Sequence, residues 1–250
     1  MEVLRKETST PIYHCGPSLQ DGPLPTLFYF ALSGQDSLLL DPYNQPVVAL
    51  ADKPIRVVSL TIPGHGEGYD NNRAMDFWAD RLKMNDDLIS PFIEQCVDAL
   101  DFLVAEGYVN PNKVGAAGLS RGGFIAAHFA AQDERVKNIL GFAPLTKLEE
   151  HSAFKTEEIR PILEKLSLKN FNERMSDKTV RAYIGNRDTS VGTAACFDWI
   201  RTLTETAYLQ KHRSPPVELI IYPSIGHKGH GTPPHIFQAG ALWMEQNLLK

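Results

Sequence analysis

The chain has 250 residues, 43% of them hydrophobic and 22% charged, the proportions of an ordinary folded domain with ample apolar surface for a core. Its net charge of −5, from 25 basic and 30 acidic residues, comes with Lys and Arg scattered along the chain, so no basic face for nucleic acid is expected. The longest uninterrupted apolar run, Leu27 to Leu32, is far too short for a membrane span. The first residues, Met1 to Thr8, carry charges of both signs and no apolar stretch of the signal-peptide kind. Cys15, Cys96 and Cys196 are odd in number and widely separated, which predicts reduced thiols and a cytoplasmic setting.

Strand-like and helix-like segments then alternate. A strand-like stretch from Pro11 to Cys15 comes first. Leu27 to Leu32 reads as a buried strand ending at Ser33-Gly34, and Ile55 to Ile62 as a second ending at Pro63-Gly64-His65-Gly66. From Leu88 to Glu106, apolar residues recur in steps of three and four, the mark of a helix with one buried face. Val114 to Ala117 is a short apolar run that leads into Gly118-Leu119-Ser120-Arg121-Gly122-Gly123, and Phe124 to Ala130 follows as an amphipathic helix. Val136 to Ala143, Val180 to Ile184 and Val217 to Tyr222 are further strands, and Ile236 to Leu249 is a closing helix. Strands separated by helices imply parallel pairing with right-handed crossovers. The expected fold class is therefore α/β, a three-layer α/β/α sandwich in one domain. Leu145 to Lys178, rich in charge and long for a single crossover, reads either as a small helical cap over the site or as a solvated crossover helix with a long loop.

The chemistry concentrates at Ser120. Glycines two before and two after a serine, set between a strand and a helix, form the G-x-S-x-G elbow that presents a hydroxyl at the carboxyl edge of a sheet. A hydroxyl needs a base, and the base an orienting acid. On such a sheet the order along the chain is serine, acid, histidine. Asp188, in the turn Gly185-Asn186-Arg187-Asp188-Thr189-Ser190 directly after a strand, is the candidate acid, and a helix cap is the competing use of that side chain. Asp177 and Asp198 do not directly follow strands. His227, in Tyr222-Pro223-Ser224-Ile225-Gly226-His227, is the preferred base, with His230 the alternative. Donors for a developing oxyanion are sought at the backbone N–H groups of Arg121 and Ser33, and Ser33's neighbours compete for the second role. The Arg121 side chain either binds an acidic substrate or braces the elbow through a salt bridge.

In order, these motifs resemble the α/β-hydrolase superfamily. The Asp-x-x-Val acid turn and the lead-in Val109-Asn110-Pro111-Asn112-Lys113-Val114 resemble its prolyl-oligopeptidase-like and dienelactone-hydrolase-like branches. The resemblance covers residues 25–250. It implies a mostly parallel eight-stranded sheet, here with its first strands reduced or altered, and an acyl-enzyme route. Ser120 would attack an ester or amide, His227 would shuttle the proton and Asp188 would fix the tautomer of His227. The expected partner is a small acyl substrate, with no cofactor. With no β-propeller ahead of the domain, a large-peptidase architecture is not expected. Gly64-His65-Gly66-Glu67-Gly68 lacks the spacing of a dinucleotide loop. The spacing of His227, His230 and His235 matches no helix-borne zinc motif, so no metal site is assigned.

Overall fold

The structure, a computed structural model, describes residues 1–4 and 10–250; the charged stretch read from Met1 to Thr8 lies partly outside them. Eight strands form one sheet: β1 (Glu2–Leu4), β2 (Ile12–Cys15), β3 (Leu24–Phe30), β4 (Arg56–Ser59), β5 (Val109–Leu119), β6 (Val136–Phe142), β7 (Thr179–Gly185) and β8 (Val217–Tyr222). Their order across the sheet is β1-β2-β4-β3-β5-β6-β7-β8. β1 and β2 pair antiparallel, as do β2 and β4, and every other pairing is parallel. The sheet is thus complete at its N-terminal edge, where the sequence suggested a reduction. β1 has only three residues, two of them exposed, so it carries almost no apolar pattern to read.

The helices are α1 (Gly34–Leu39), α2 (Gln45–Ala49), α3 (Ala74–Lys83), α4 (Ile89–Ala105), α5 (Arg121–Gln132), α6 (Arg160–Lys165), α7 (Asn172–Met175), α8 (Thr193–Leu209) and α9 (Pro234–Leu248). Two apolar cores flank the sheet, and β3 shows why. Phe28 and Phe30 face one core with α3, α4, α5 and α8, while Leu27 and Tyr29 face the other with α1, α2 and α9. Both faces of a central parallel strand are covered, so its sequence is a continuous apolar run rather than an alternation. Phe28 and Phe129 meet with ring centroids 5.1 Å apart, locking α5 onto β3.

The segment 145–178 is a string of short helical turns that includes α6 and α7. It buries Leu148, Phe154, Ile159, Leu163 and Met175 in the same core as α5 and lies against α3, α5 and α8.

The topology fixes where a ligand can sit. From β3 the chain moves outward to β4 and then returns past β3 to β5. Connections leave β3 and β5 in opposite directions, which opens a crevice at their carboxyl ends. The loops after β3 and β5 are those that carry Leu32 and Ser120.

Candidate active site

Ser120 is the N-cap of α5 and holds φ 55°, ψ −119°, a conformation that costs a non-glycine residue of order 1–3 kcal/mol. The turn survives because its neighbours over-determine it. Ser120 N–H donates to Phe142 O at 2.9 Å, and Ser120 O accepts from Gly123 and Leu145 N–H, each at 2.9 Å. A Cβ on Gly118 would lie 2.0 Å from the Gly122 carbonyl carbon, and one on Gly122 would lie 1.9 Å from Phe30 O. The two glycines are therefore required by backbone packed on backbone, at the point where α5 leaves the sheet beside β3.

Asp188 follows β7 in a turn and is buried, its side chain 0% exposed. Its Oδ1 accepts from Ser190 N–H at 2.9 Å and Val191 N–H at 3.1 Å. These bonds orient the carboxylate so that Oδ2 faces His230. The N-cap of α8 is Gly192, so capping that helix is not what Asp188 does. Asp177 pairs with Lys137, and Asp198 with Lys169 and Arg201, all on the surface.

The histidine that reaches Ser120 is His230. Its Nε2 lies 2.9 Å from Ser120 Oγ, and its Nδ1 lies 2.7 Å from Asp188 Oδ2. The expectation of His227 is corrected here: His227 is exposed and sits at the rim of the cleft. The reason is a tight turn that encloses His227 and runs up to His230. Gly226, Lys228 and Gly229 all take positive φ, at 74°, 56° and 75°. The chain curls back, Ile225 bridges Gly231, and the next side chain inward belongs to His230. The acid turn pins this curl, since Thr189 N–H and Oγ1 both donate to Lys228 O, at 2.9 and 3.1 Å. Arg187 N–H donates to Ser224 Oγ at 2.7 Å. The loops carrying acid and base are thus one hydrogen-bonded unit. Glycines on both sides of His230, at 229 and 231, were the sequence signal for so sharp a reversal.

Of the two expected oxyanion donors, Arg121 lines the cleft and Ser33 does not. Arg121 is the first residue of α5, where a backbone N–H has no intrahelical acceptor. Ser33 is drawn away because α1 starts at Gly34. Ser33 is its N-cap, with Oγ accepting from Asp36 N–H at 3.0 Å. Ala31 and Leu32 reach the cleft instead. Their N–H groups converge on buried Ser37 Oγ, at 3.0 and 2.9 Å.

The cleft has a volume of about 490 Å³ and is bounded by Leu32, Tyr43, Asn71, Leu119 and Phe237 around Ser120 and His230. That is the size of a pocket for a small organic molecule. No residue of 145–178 lines it. Behind it, His65 is buried, with Nδ1 near Ile62 O and Pro63 O. Burial, reinforced by the charge of Arg121, holds its pKa down at about 4, so the ring is neutral. Among the described residues no group of three His, Cys, Asp or Glu side chains is placed to hold a metal ion, and no helix is long and apolar enough to cross a membrane.

The sequence profile described as the prolyl oligopeptidase family matches residues 78–249. No curated protein matches the chain by sequence. Among solved structures, Est1E from Butyrivibrio proteoclasticus, determined with ferulic acid bound, is similar with a TM-score of 0.71 and 12% identity over the whole of both chains. A cold-adapted esterase from an Arctic intertidal metagenomic library is similar at 0.68 and 18% identity, over 98% of this chain and 92% of that one. A puromycin-hydrolyzing peptidase of Mycobacterium tuberculosis is similar at 0.68 and 16% identity over 96% of this chain, which spans only 38% of the peptidase's length.

Proposed function

We propose that this chain, which belongs to the prolyl oligopeptidase family and has the α/β-hydrolase fold, is a serine hydrolase that cleaves esters of small acids through Ser120, His230 and Asp188. One observation carries this reading: the unbroken relay of 2.9 Å from Ser120 Oγ to His230 Nε2 and 2.7 Å from His230 Nδ1 to Asp188 Oδ2.

The steps follow from those atoms. With the imidazole proton on Nδ1 and donated to Asp188, Nε2 presents a lone pair to the serine hydroxyl. Ser120 Oγ attacks the substrate carbonyl carbon as its proton passes to His230 Nε2. The carbonyl oxygen becomes an oxyanion and takes the N–H of Arg121 as a donor. Asp188 stabilises the imidazolium. Collapse of the intermediate breaks the carbon–oxygen bond to the alcohol, which leaves with the proton from Nε2. Water enters the cleft, gives a proton to Nε2 and attacks the acyl-enzyme; the same events in reverse free the acid and Ser120. The partner is a small acyl compound that fits a cleft of about 490 Å³. Cys15, Cys96 and Cys196 are all free thiols, which suits a cytoplasmic setting.

The test compares His230→Ala with His227→Ala on p-nitrophenyl acetate and on the matching p-nitroanilide. His230→Ala should lose ~10³-fold or more in kcat/KM, while His227→Ala stays within about threefold. Equal losses in the two variants would refute the assignment, and faster turnover of the anilide than of the ester would replace esterase by amidase.

A further inference from the structure

The Arg121 side chain stands apart from the other arginines that are not exposed. Four arginines in the described structure are not exposed: Arg56, Arg121, Arg135 and Arg181. Three of them are each held by at least three polar contacts. Arg56 donates to the carbonyls of Pro17, Ser18, Gly22 and Tyr108. Arg135 is paired with Asp133 and Asp101, and Arg181 with Glu218. Among the described residues the half-buried guanidinium of Arg121 has a single acceptor, Asn71 O at 3.3 Å. Among the described residues no carboxylate comes within ion-pair distance of it. A guanidinium has five N–H donors in a rigid fork that matches a carboxylate, so most of this one is unspent. Its remaining nitrogens are not sealed in the protein; Arg121 lines the cleft beside Ser120.

The surroundings reinforce the imbalance. The charges of Arg121 and Lys228 both bear on His151, whose pKa is lowered by burial first and then by Arg121. Asp76 is the acid that opposes them there, and it is held by Arg73 at 3.9 Å. A braced elbow would show a salt bridge to Arg121. Among the described residues Arg121 has no such bridge, and Asp188, the carboxylate of the site, is engaged by His230, so the free donors of Arg121 at the cleft wall are open to the counter-charge of a ligand.

Building on the hydrolase reading, we propose that the Arg121 side chain anchors a carboxylate on the substrate, so that the enzyme is selective for esters that also carry an acid group. The anchor acts on whichever half of the ester bears the charge, and two substrate pairs distinguish the halves. The first is the p-nitrophenyl monoester of glutaric acid against p-nitrophenyl pentanoate, with the charge on the acyl side. The second is acetylated p-hydroxybenzoate against its methyl ester, with the charge on the leaving group.

The readout is the ratio of kcat/KM for acidic over neutral ester within each pair. Arg121→Gln removes the charge and keeps the backbone N–H, so any change in oxyanion stabilisation cancels in the ratio. The ratio should fall at least tenfold in one pair, and Arg121→Lys should recover part of it. A ratio unchanged in both pairs overturns the proposal. Turnover of the neutral esters tests the hydrolase reading separately. If none of the four esters is turned over, calorimetric titration of free glutarate decides alone. Glutarate should bind the wild type at least tenfold more tightly than Arg121→Gln; equal affinity, or no binding to the wild type, overturns the proposal.

Discussion

Asp188→Asn replaces one oxygen by an amide nitrogen of the same size and probes the relay through a proton's position. The structure dictates which way the amide must face. Oδ1 accepts two backbone N–H groups, from Ser190 and Val191, at 2.9 and 3.1 Å. An NH₂ at that site would oppose two donors in a buried turn, so the asparagine oxygen stays there and the NH₂ takes the place of Oδ2, 2.7 Å from His230 Nδ1. To accept from this NH₂, Nδ1 must lose its proton, and the neutral ring then carries it on Nε2, facing Ser120. The base is now protonated where it should be bare. Losing one charge-assisted hydrogen bond would cost about 1.5–3 kcal/mol, or roughly ten- to a hundredfold. The wrong tautomer removes general-base catalysis as well, and the expected loss in kcat/KM is ~10⁴-fold, about 5.5 kcal/mol. The assay is p-nitrophenyl acetate hydrolysis, with Tm as the control for folding. Activity within tenfold of the wild type, in a variant of unchanged Tm, would refute the reasoning.

Gly229→Ala should slow turnover more than it destabilises. Its Cβ would lie 2.3 Å from Arg187 O, at a φ of 75°, and relieving that contact displaces His230, so a drop of roughly a hundredfold in kcat is expected with a modest loss of Tm; turnover intact at wild-type Tm would show that the curl does not position the base. Gly122→Ala should instead destabilise the fold by about 4 kcal/mol or more, because its Cβ meets Phe30 O at 1.9 Å and neither backbone can yield; thermal melting reads this, and a Tm within a few degrees of wild type would contradict it. His65 and His128 are both held at about 4 in the folded chain against an ordinary 6.5, mainly by burial. The unfolded chain takes up these protons as pH falls through 6.5 and the folded chain only near 4, so stability should be lost across that window, by up to roughly 3 kcal/mol for each ring. Urea midpoints at several pH values check this, and His128→Gln should flatten the slope; an unchanged slope would mean that His128 does not contribute.

The parts of the site that local sequence determines were legible before any coordinates. Ser120 is set by a strand, a glycine-framed turn and a helix, all within a few residues of it. Asp188 is set by its place directly after a strand, and the sheet orders the two correctly. His230 is set by something else. The last strand ends at Tyr222, and the number of residues between strand end and base depends on a curl whose stability comes from the acid turn, through Thr189, Ser224 and Lys228. A reading that counts along one loop finds His227 first and cannot weigh bonds made to another loop. Ser33 failed for a related reason. Whether it or Leu32 faces the cleft turns on where α1 begins, and Ser33's own hydroxyl decides that by capping the helix. The antiparallel edge was faint because β1 is short and exposed. That Arg121 finds a single acceptor and no acid among the described residues lay wholly outside the sequence, since only packing decides it.

The proposed reaction rests on one hydroxyl, on Ser120, made nucleophilic by His230. A fluorophosphonate probe forms a stable bond only with such a hydroxyl, and peptide mass spectrometry locates it. Stoichiometric labelling of the peptide containing Ser120 is expected, lost in Ser120→Ala, slowed at least a hundredfold in His230→Ala, and little changed in His227→Ala. Labelling that persists in Ser120→Ala, or at an undiminished rate in His230→Ala, would contradict it.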